Sequence, residues 1–170
     1  MGKTKIQYKN GDIFNGAERG GADILVQACN TRGSWGAGVA VMFKKNYPDA
    51  YEACRKNCEE QGSSLVGTSL ITIAPSTIDS SSEIIIGSLY TSAGYGRQKG
   101  SVESIINATR ASMADMLLIL EQSEAQRVSI HSPMINAGLF RVPWNETESI
   151  IESLCSNSPI KIDWTVWVYP

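Results

Sequence analysis

Two glycine-bearing loops contain the residues of this sequence best suited to bind an anion. The first loop follows a β-branched apolar run that starts at Ile24, and its approach carries the polar side chains of Gln27 and Asn30. Its glycines are Gly33, Gly36 and Gly38. Glycine lets backbone N–H groups come close to a ligand, and the start of a following helix adds unpaired donors and partial positive charge. Residues 24–41 therefore predict a strand, an anion-binding loop and a helix start.

The second loop, residues 133–143, also leads from a short strand into a helix pattern. Gly138 permits tight curvature, and Phe140 offers a ring to a sugar. Two such loops that face each other would surround a diphosphate with N–H donors. The alternative is that each loop is an ordinary strand–helix connection that contains glycine. No Gly-Lys-Ser/Thr follows the glycines, and their spacing is not Gly-x-Gly-x-x-Gly, so neither nucleotide-binding fingerprint is present.

Asp12 is the third feature with chemical potential, because it follows the first predicted strand within a turn signal, Asn10-Gly11-Asp12. A loop carboxylate accepts hydrogen bonds from an amino group such as that of adenine. The alternative interpretation is a turn aspartate that caps the local backbone.

Strands and helices alternate along the chain, without a break in composition that would divide it. Strands are predicted at residues 5–9, 24–29, 69–74, 83–91, 127–131 and 160–169. Helices are predicted at residues 39–47, 50–60, from 101 onward and from 144 to 155. This pattern predicts one α/β domain, residues 1–170, with a largely parallel sheet covered by helices. Ligands of such sheets bind beyond the carboxyl ends of strands, and both glycine loops follow strands directly.

Charge and cysteine usage limit the classes of partner. The 170 residues carry a net charge of −2 and a pI near 5.4, so no electrostatic footprint for nucleic acid is visible. No apolar run is long enough for a membrane span, and no secretory signal is seen, which predicts a soluble protein of the cytoplasm or nucleus. The cysteines, Cys29, Cys54, Cys58 and Cys155, form no CxxC pair and are interpreted as buried reduced thiols. The lone histidine, His131, is interpreted as structural. No metal or cofactor is expected.

Four segments, taken together, resemble the macrodomain family. They are Gly-Asp-Ile at residues 11–13, Val-Gln-Ala-Cys-Asn at 26–30, Trp-Gly-Ala-Gly-Val-Ala at 35–40 and Pro-Met-Ile-Asn-Ala-Gly-Leu-Phe at 133–140. The likeness spans nearly the whole chain, and residues 30–40 and 135–144 look most like the subgroup that contains the yeast ADP-ribose-1″-phosphate phosphatase. The resemblance implies a three-layer α/β/α sandwich with a mixed sheet of about six strands.

The resemblance also implies ADP-ribose or a derivative as the ligand. By similarity, Asp12 would bind the adenine amino group, Ile13 the adenine ring through its backbone, and Asn30 the distal ribose. Backbone groups of residues 35–40 and 136–140 would hold the diphosphate and distal ribose, with Phe140 against that ribose. The residues expected to line the ligand are Gly11, Asp12, Ile13, Ala28, Cys29, Asn30, Trp35, Gly36, Ala37, Gly38, Val39, Ala40, Ile135, Asn136, Ala137, Gly138, Leu139 and Phe140.

Gln27 is where the sequence departs from the family pattern. Many macrodomain hydrolases have asparagine there, and the yeast phosphatase subgroup has histidine. A glutamine amide is no general base near neutral pH, but it positions water or substrate by hydrogen bonding. The expected catalytic residues are Asn30 and Gln27, with charge stabilisation from loop N–H groups. Another macrodomain subgroup works through a lysine after the fourth strand and an aspartate in the second loop. The corresponding positions here lie near Ser92 and at Phe140, so that lysine-dependent mechanism is not supported.

Hydrolysis of ADP-ribose-1″-phosphate to ADP-ribose and phosphate is the first functional hypothesis. The second is a non-catalytic module that binds ADP-ribose or mono-ADP-ribosylated proteins, and Gln27 favours it. The third is removal of ADP-ribose from modified proteins. The expected partners are this small-molecule ligand or a mono-ADP-ribosylated protein, and neither nucleic acid nor membrane.

Overall fold

A six-stranded sheet organises the chain in a computed structural model that describes residues 4–169. The strands are β1 (Gln7–Asn10), β2 (Ile24–Asn30), β3 (Ser69–Pro75), β4 (Glu83–Ser92), β5 (Arg127–Ser132) and β6 (Lys161–Val168). The helices are α1 (Ile13–Gly16), α2 (Val39–Asn46), α3 (Pro48–Gln61), α4 (Val102–Glu121) and α5 (Trp144–Ser156). Short 3-10 turns occupy Gly62–Leu65 and Gly96–Gln98.

The strand order is β1-β6-β5-β2-β4-β3, and every neighbouring pair is parallel except β3 with β4. This confirms the predicted mixed, largely parallel sheet. The predicted boundaries were wrong at several ends. The first strand begins at Gln7, not at residue 5, because its pairing with β6 begins at Gln7 and Thr165. Helix α3 begins at Pro48, not at residue 50 as predicted, because proline fits the first turn of a helix.

Apolar side chains project from both faces of the sheet, and helices pack on both faces to bury them. Ile24 and Val26 of β2 pack into a core with α4 and α5, whereas Leu25 and Cys29 pack into a second core with α2 and α3. Successive strand residues point to opposite faces, which explains why β2 is apolar almost throughout. The two cores confirm the three-layer α/β/α sandwich.

All four cysteines are buried free thiols, as interpreted from the sequence. The Sγ atoms of Cys54 and Cys58 lie 4.0 Å apart. A hydrogen bond with Cys29 raises the pKa of Cys54 to about 12, so this thiol stays protonated near neutral pH. Among residues 4–169, no helix has both the length and the apolar content to cross a membrane.

The sheet opens at one place that matters for binding. Strand β2 pairs with β5 at Ile24–Ile130 and Leu25–His131, and within the described residues this ladder goes no further. Beyond it, the chain leaves β2 toward α2 and α3 on one face and leaves β5 toward α5 on the other. A crevice between diverging connections at the carboxyl ends of parallel strands is the usual ligand site of such sheets.

Gly16 lies directly against the Trp167 ring, and its substitution tests this packing. A Cβ at Gly16 would lie 2.8 Å from Cζ3 of Trp167 and closer still to Cη2. We expect Gly16→Ala to lower the free energy of unfolding by about 1–3 kcal/mol through overpacking, measured by chemical denaturation. Gly138→Ala is the control, because a Cβ there meets no heavy atom within 4 Å. Equal stability of the two variants would contradict the packing argument.

His131 is buried in the sheet, and its Nδ1 accepts a 2.9 Å hydrogen bond from Nε1 of Trp167. Burial lowers its pKa, and the nearby positive charge of Lys9 lowers it further. As the pH falls through about 6.5, the His131 imidazole therefore becomes protonated in the unfolded chain, whereas the folded chain resists its protonation. Stability from this group is complete above that pH and decreases below it.

We accordingly expect the free energy of unfolding to decrease between about pH 7.5 and 5.5, and His131→Gln to flatten that decrease. Denaturant titrations across this range measure both profiles. Parallel profiles for the wild type and the variant would show that His131 does not cause the pH dependence.

Candidate functional site

The structure brings the two glycine-bearing loops into contact. Loop 1 (residues 31–38) follows β2, and loop 2 (residues 133–143) follows β5. A Cβ at Gly38 would lie 3.2 Å from Cδ1 of Leu139, so the loop 1 backbone touches a loop 2 side chain. Gly38 also has φ +63°, which favours glycine. Leu139 is 62% exposed and stands at the outer edge of this contact.

Asn30 shapes loop 1 from within. Its Oδ1 accepts the backbone N–H groups of Arg32 at 3.0 Å and Ser34 at 3.3 Å, and its Nδ2 donates to the Ser34 carbonyl at 2.9 Å. A side-chain amide carries two N–H donors, so one donor of Asn30 is left for a ligand. Gly33 packs on α3, where a Cβ would lie 3.2 Å from the Cα of Arg55.

Loop 1 ends in a set of unused donors. Among the described residues, the N–H groups of Gly36, Ala37 and Gly38 donate to no protein acceptor. Helix α2 starts at Val39 without a side-chain cap and without an acidic residue in its first turn. The N–H groups of the first helical turn have no partner inside the helix, so this stretch is suited to bind an anion.

Asn136 anchors loop 2 in the interior. It is 5% exposed with φ +66°, its Oδ1 accepts from Thr91 Oγ1 at 3.0 Å, and its Nδ2 donates to Thr109 Oγ1 at 2.8 Å. Its carbonyl accepts the N–H of Val142 at 2.9 Å. The amide of Asn136 is therefore committed to β4 and α4.

The remaining donors of loop 2 lie past this anchor. In the part of the chain that the structure describes, the N–H groups of Gly138, Leu139 and Phe140 have no protein acceptor. Phe140 is half-buried. Both loops therefore present unused backbone donors at their shared edge.

Asp12 lies at the same edge of the sheet but some distance from the loops. Strand β1, which precedes Asp12, is two strands from β5, or about 10 Å along the sheet. Its Oδ1 accepts the N–H of Phe14 at 2.9 Å, so the capping role proposed as the alternative is present. Its half-buried carboxylate retains further acceptor capacity. Ile13 is buried in the core, which leaves its backbone as the part available to a ligand.

Gln27 is the most unusual polar residue of the structure. It is 1% exposed, and neither Oε1 nor Nε2 has a hydrogen-bond partner among the described residues. Its side chain points to the same face as Leu25 and Cys29, toward α2 and α3. An unpaired buried polar group costs about 1–3 kcal/mol, so its presence calls for a functional explanation.

The sequence did not indicate several residues that hold the loops. Thr91 and Thr109 bind Asn136, and Thr31 joins loop 1 to the end of β4 through bonds to Ser92 and Ala93. Isolated threonines carry no local signal, because their partners are distant in sequence. His131 holds Trp167 instead of facing the loops.

Another surface depression lies away from the two loops. A groove of ≈ 690 Å³ separates α2 from α3 and is lined by Val41, Lys44, Lys45, Pro48, Tyr51 and Glu52. None of these residues belongs to loop 1 or loop 2. The groove is open and combines the charges of Lys44, Lys45 and Glu52, whereas the loops present the unused backbone donors, so the loops are the candidate site.

Comparison with known proteins finds relatives in both sequence and structure. A protein of Meyerozyma guilliermondii named ADP-ribose 1″-phosphate phosphatase is 36% identical over 165 residues, covering 88% of this chain and 93% of the relative. The protein of that name from Candida albicans is 38% identical over 153 residues, covering 86% and 92%. The solved macrodomain of Mycobacterium tuberculosis DarG superposes with a TM-score of 0.71 at 22% identity, covering 96% of this chain and 97% of that one.

The model of the Macro domain family matches residues 26–151, a stretch that includes both loops and most of the chain. With relatives above 30% identity over more than four-fifths of its length, this chain belongs to the Macro domain family.

Proposed function

We propose that this protein binds ADP-ribose derivatives between loop 1 and loop 2 and hydrolyses ADP-ribose 1″-phosphate to ADP-ribose and phosphate. The observation that carries the proposal is the contact of the two loops, with their unused N–H donors, in a chain 36% and 38% identical to relatives of that name. A diphosphate is the anion that such paired backbone donors suit best.

The ligand would extend along the carboxyl edge of the sheet. Asp12 would accept the adenine amino group, the backbone donors of loops 1 and 2 would hold the diphosphate, and the free N–H of Asn30 would bind the distal ribose. Phe140 would pack against that ribose. The amide of Asn136 binds Thr91 and Thr109 and so holds loop 2 in place, and its backbone would contact the ligand.

Hydrolysis would proceed by attack of water on phosphorus, with cleavage of the bond from phosphorus to the bridging oxygen. The products are phosphate and the 1″-hydroxyl of ADP-ribose. Gln27 would position the water through Oε1, and the phosphate ester itself would receive the water proton, because Gln27 is no base. Loop N–H donors would stabilise the charge that develops on the phosphoryl oxygens.

A second candidate function is binding without turnover, and the identity of residue 27 favours it. A glutamine that cannot accept a proton leaves the site without a side-chain base among Gln27 and Asn30. The partner would then be ADP-ribose itself or a mono-ADP-ribosylated protein held through its ADP-ribose.

We propose that residues 1–170 form one domain, although the family match stops at residue 151. The pairing of β1 and β6 within the same sheet supports this, because both strands lie outside the matched stretch. The free, buried cysteines are typical of proteins in a reducing compartment, which supports the cytoplasm or nucleus as the location.

Gln27→Met tests catalysis because it removes the amide and nearly keeps the volume. We expect the wild type to release phosphate from ADP-ribose 1″-phosphate, and the variant to lose at least about tenfold in kcat, since water positioning is lost. We also expect the variant to be no less stable, because an unpaired buried amide is removed. Phosphate release and denaturant unfolding measure the two effects, with Asn30→Ala as a second inactive control.

Two results would change the assignment. If the wild type bound ADP-ribose tightly but released no phosphate, the hydrolytic function would be rejected and the non-catalytic binding function would be retained. Unchanged kcat in Gln27→Met would remove Gln27 from the mechanism.

Asp12→Asn separates adenine recognition from helix capping. Asparagine caps helix N-termini as well as aspartate, so α1 should persist, while the carboxylate that would accept the adenine amino group is lost. We expect ADP-ribose affinity to fall about tenfold or more by calorimetry, since hydrogen bonds to charged groups are the stronger ones. Unchanged affinity would assign Asp12 to capping alone.

A further inference from the structure

The edge of the sheet that carries the loops is cationic, whereas the chain as a whole is slightly acidic. Loop 3 (residues 93–101) follows β4, so loops 1, 2 and 3 follow three neighbouring strands. Together they contain four cationic residues and no Asp or Glu, in a chain of net charge −2. The four, here termed the cationic rim, are Arg32, Arg97, Lys99 and Arg141.

Arg32 is the rim residue whose side chain lies against an aromatic ring. Its backbone N–H donates to Oδ1 of Asn30 at 3.0 Å, which fixes its position on loop 1. Its guanidinium lies over the Tyr95 ring of loop 3, with Cζ 5.9 Å from the ring centroid. Stacking on an aromatic face restrains a guanidinium and leaves its N–H donors available.

Loop 3, which supplies that ring, is itself braced. Thr31 binds Ser92 and Ala93 through its N–H and hydroxyl, each at 3.0 Å. The Ser92 hydroxyl donates to the Gly94 carbonyl at 2.7 Å and accepts the N–H of Gly100 at 2.9 Å. Tyr95 is therefore presented on a closed turn next to loop 1.

The charge of Arg32 is not neutralised by the protein. Among residues 4–169, the ion pairs join Arg55 to Glu52 and Glu59, and Arg127 to Asp163. Arg32 is exposed and takes part in none of them. A stacked, unpaired guanidinium beside a donor-rich loop is suited to bind an oxyanion in bidentate geometry.

We propose that Arg32, supported by Tyr95, binds the terminal phosphate of the substrate and so distinguishes ADP-ribose 1″-phosphate from ADP-ribose. The inference rests on the proposed function, because the ligand must place its distal ribose at Asn30. The N–H donors of loops 1 and 2 would bind the diphosphate of either compound, so they do not by themselves distinguish the two. The phosphomonoester adds about −1.5 to −2 of charge near pH 7 and needs a further donor.

This arrangement also separates substrate from product. Once the phosphate has left, Arg32 has no charged partner on ADP-ribose, so the product loses a contact that the substrate had. The affinity for substrate should depend on ionic strength more steeply than the affinity for ADP-ribose, because exposed charges are screened by salt.

Arg32→Gln tests the inference in the full-length protein. We expect the KM for ADP-ribose 1″-phosphate to rise about tenfold or more, while the Kd for ADP-ribose by calorimetry changes less than about twofold. Tyr95→Phe should retain wild-type selectivity, because it keeps the ring, and Tyr95→Leu should lose part of it. Arg127→Gln is the matched control: it removes one charge at the opposite edge of the sheet, where Arg127 pairs with Asp163 at 2.7 Å.

The possible outcomes separate this inference from the proposed function. Equal weakening of both ligands, or no change in either, would overturn the role of Arg32 and leave the proposed function intact. Failure of the wild type to bind either compound would overturn both. If thermal unfolding shows that Arg32→Gln folds poorly, the comparison of Tyr95→Phe with Tyr95→Leu tests the inference instead. Equal KM values for these two variants would overturn it.

Discussion

The divergence of β2 from β5 is the constraint on which the site depends. Among the described residues, the two strands pair at Ile24 with Ile130 and at Leu25 with His131, that is, where β2 begins and β5 is about to end. Beyond that point their connections go to helices on opposite faces of the sheet, because each face must be covered by helices. The loops that follow β2 and β5 are therefore free to curve toward each other, and they meet at Gly38 and Leu139.

Buried amides give these loops their shape. Asn30 binds three backbone groups of loop 1, and Asn136 joins loop 2 to Thr91 and Thr109. Because the side chains satisfy the internal polar groups, backbone N–H donors remain at the surface of the loops. Recognition by fixed backbone dipoles requires no reorganisation when an anion arrives, which is the physical advantage of this design. The positive side chains of the cationic rim add charge around these donors.

Gln27 is the residue of β2 whose side chain fits the interior of the fold least well. An unpaired amide in the interior opposes stability, and a purely structural strand would carry an apolar residue there. The neighbouring residues Leu25 and Cys29 fit that expectation, whereas Gln27 does not. Departures from local consistency of this kind are typical of functional positions.

The sequence by itself determined the order and type of the six strands and of α2 to α5, because hydrophobic periodicity and glycine and proline positions are local signals. It did not indicate the four-residue helix α1. It also determined that the loops after β2 and β5 carry the donor-rich glycine segments. Only the tertiary structure decided that Asn136 binds Thr91 and Thr109, that Gln27 has no partner among residues 4–169, and that the Arg32 guanidinium lies over the Tyr95 ring. These contacts join residues far apart in the chain, and no spacing rule encodes them, since strand order and packing bring them together.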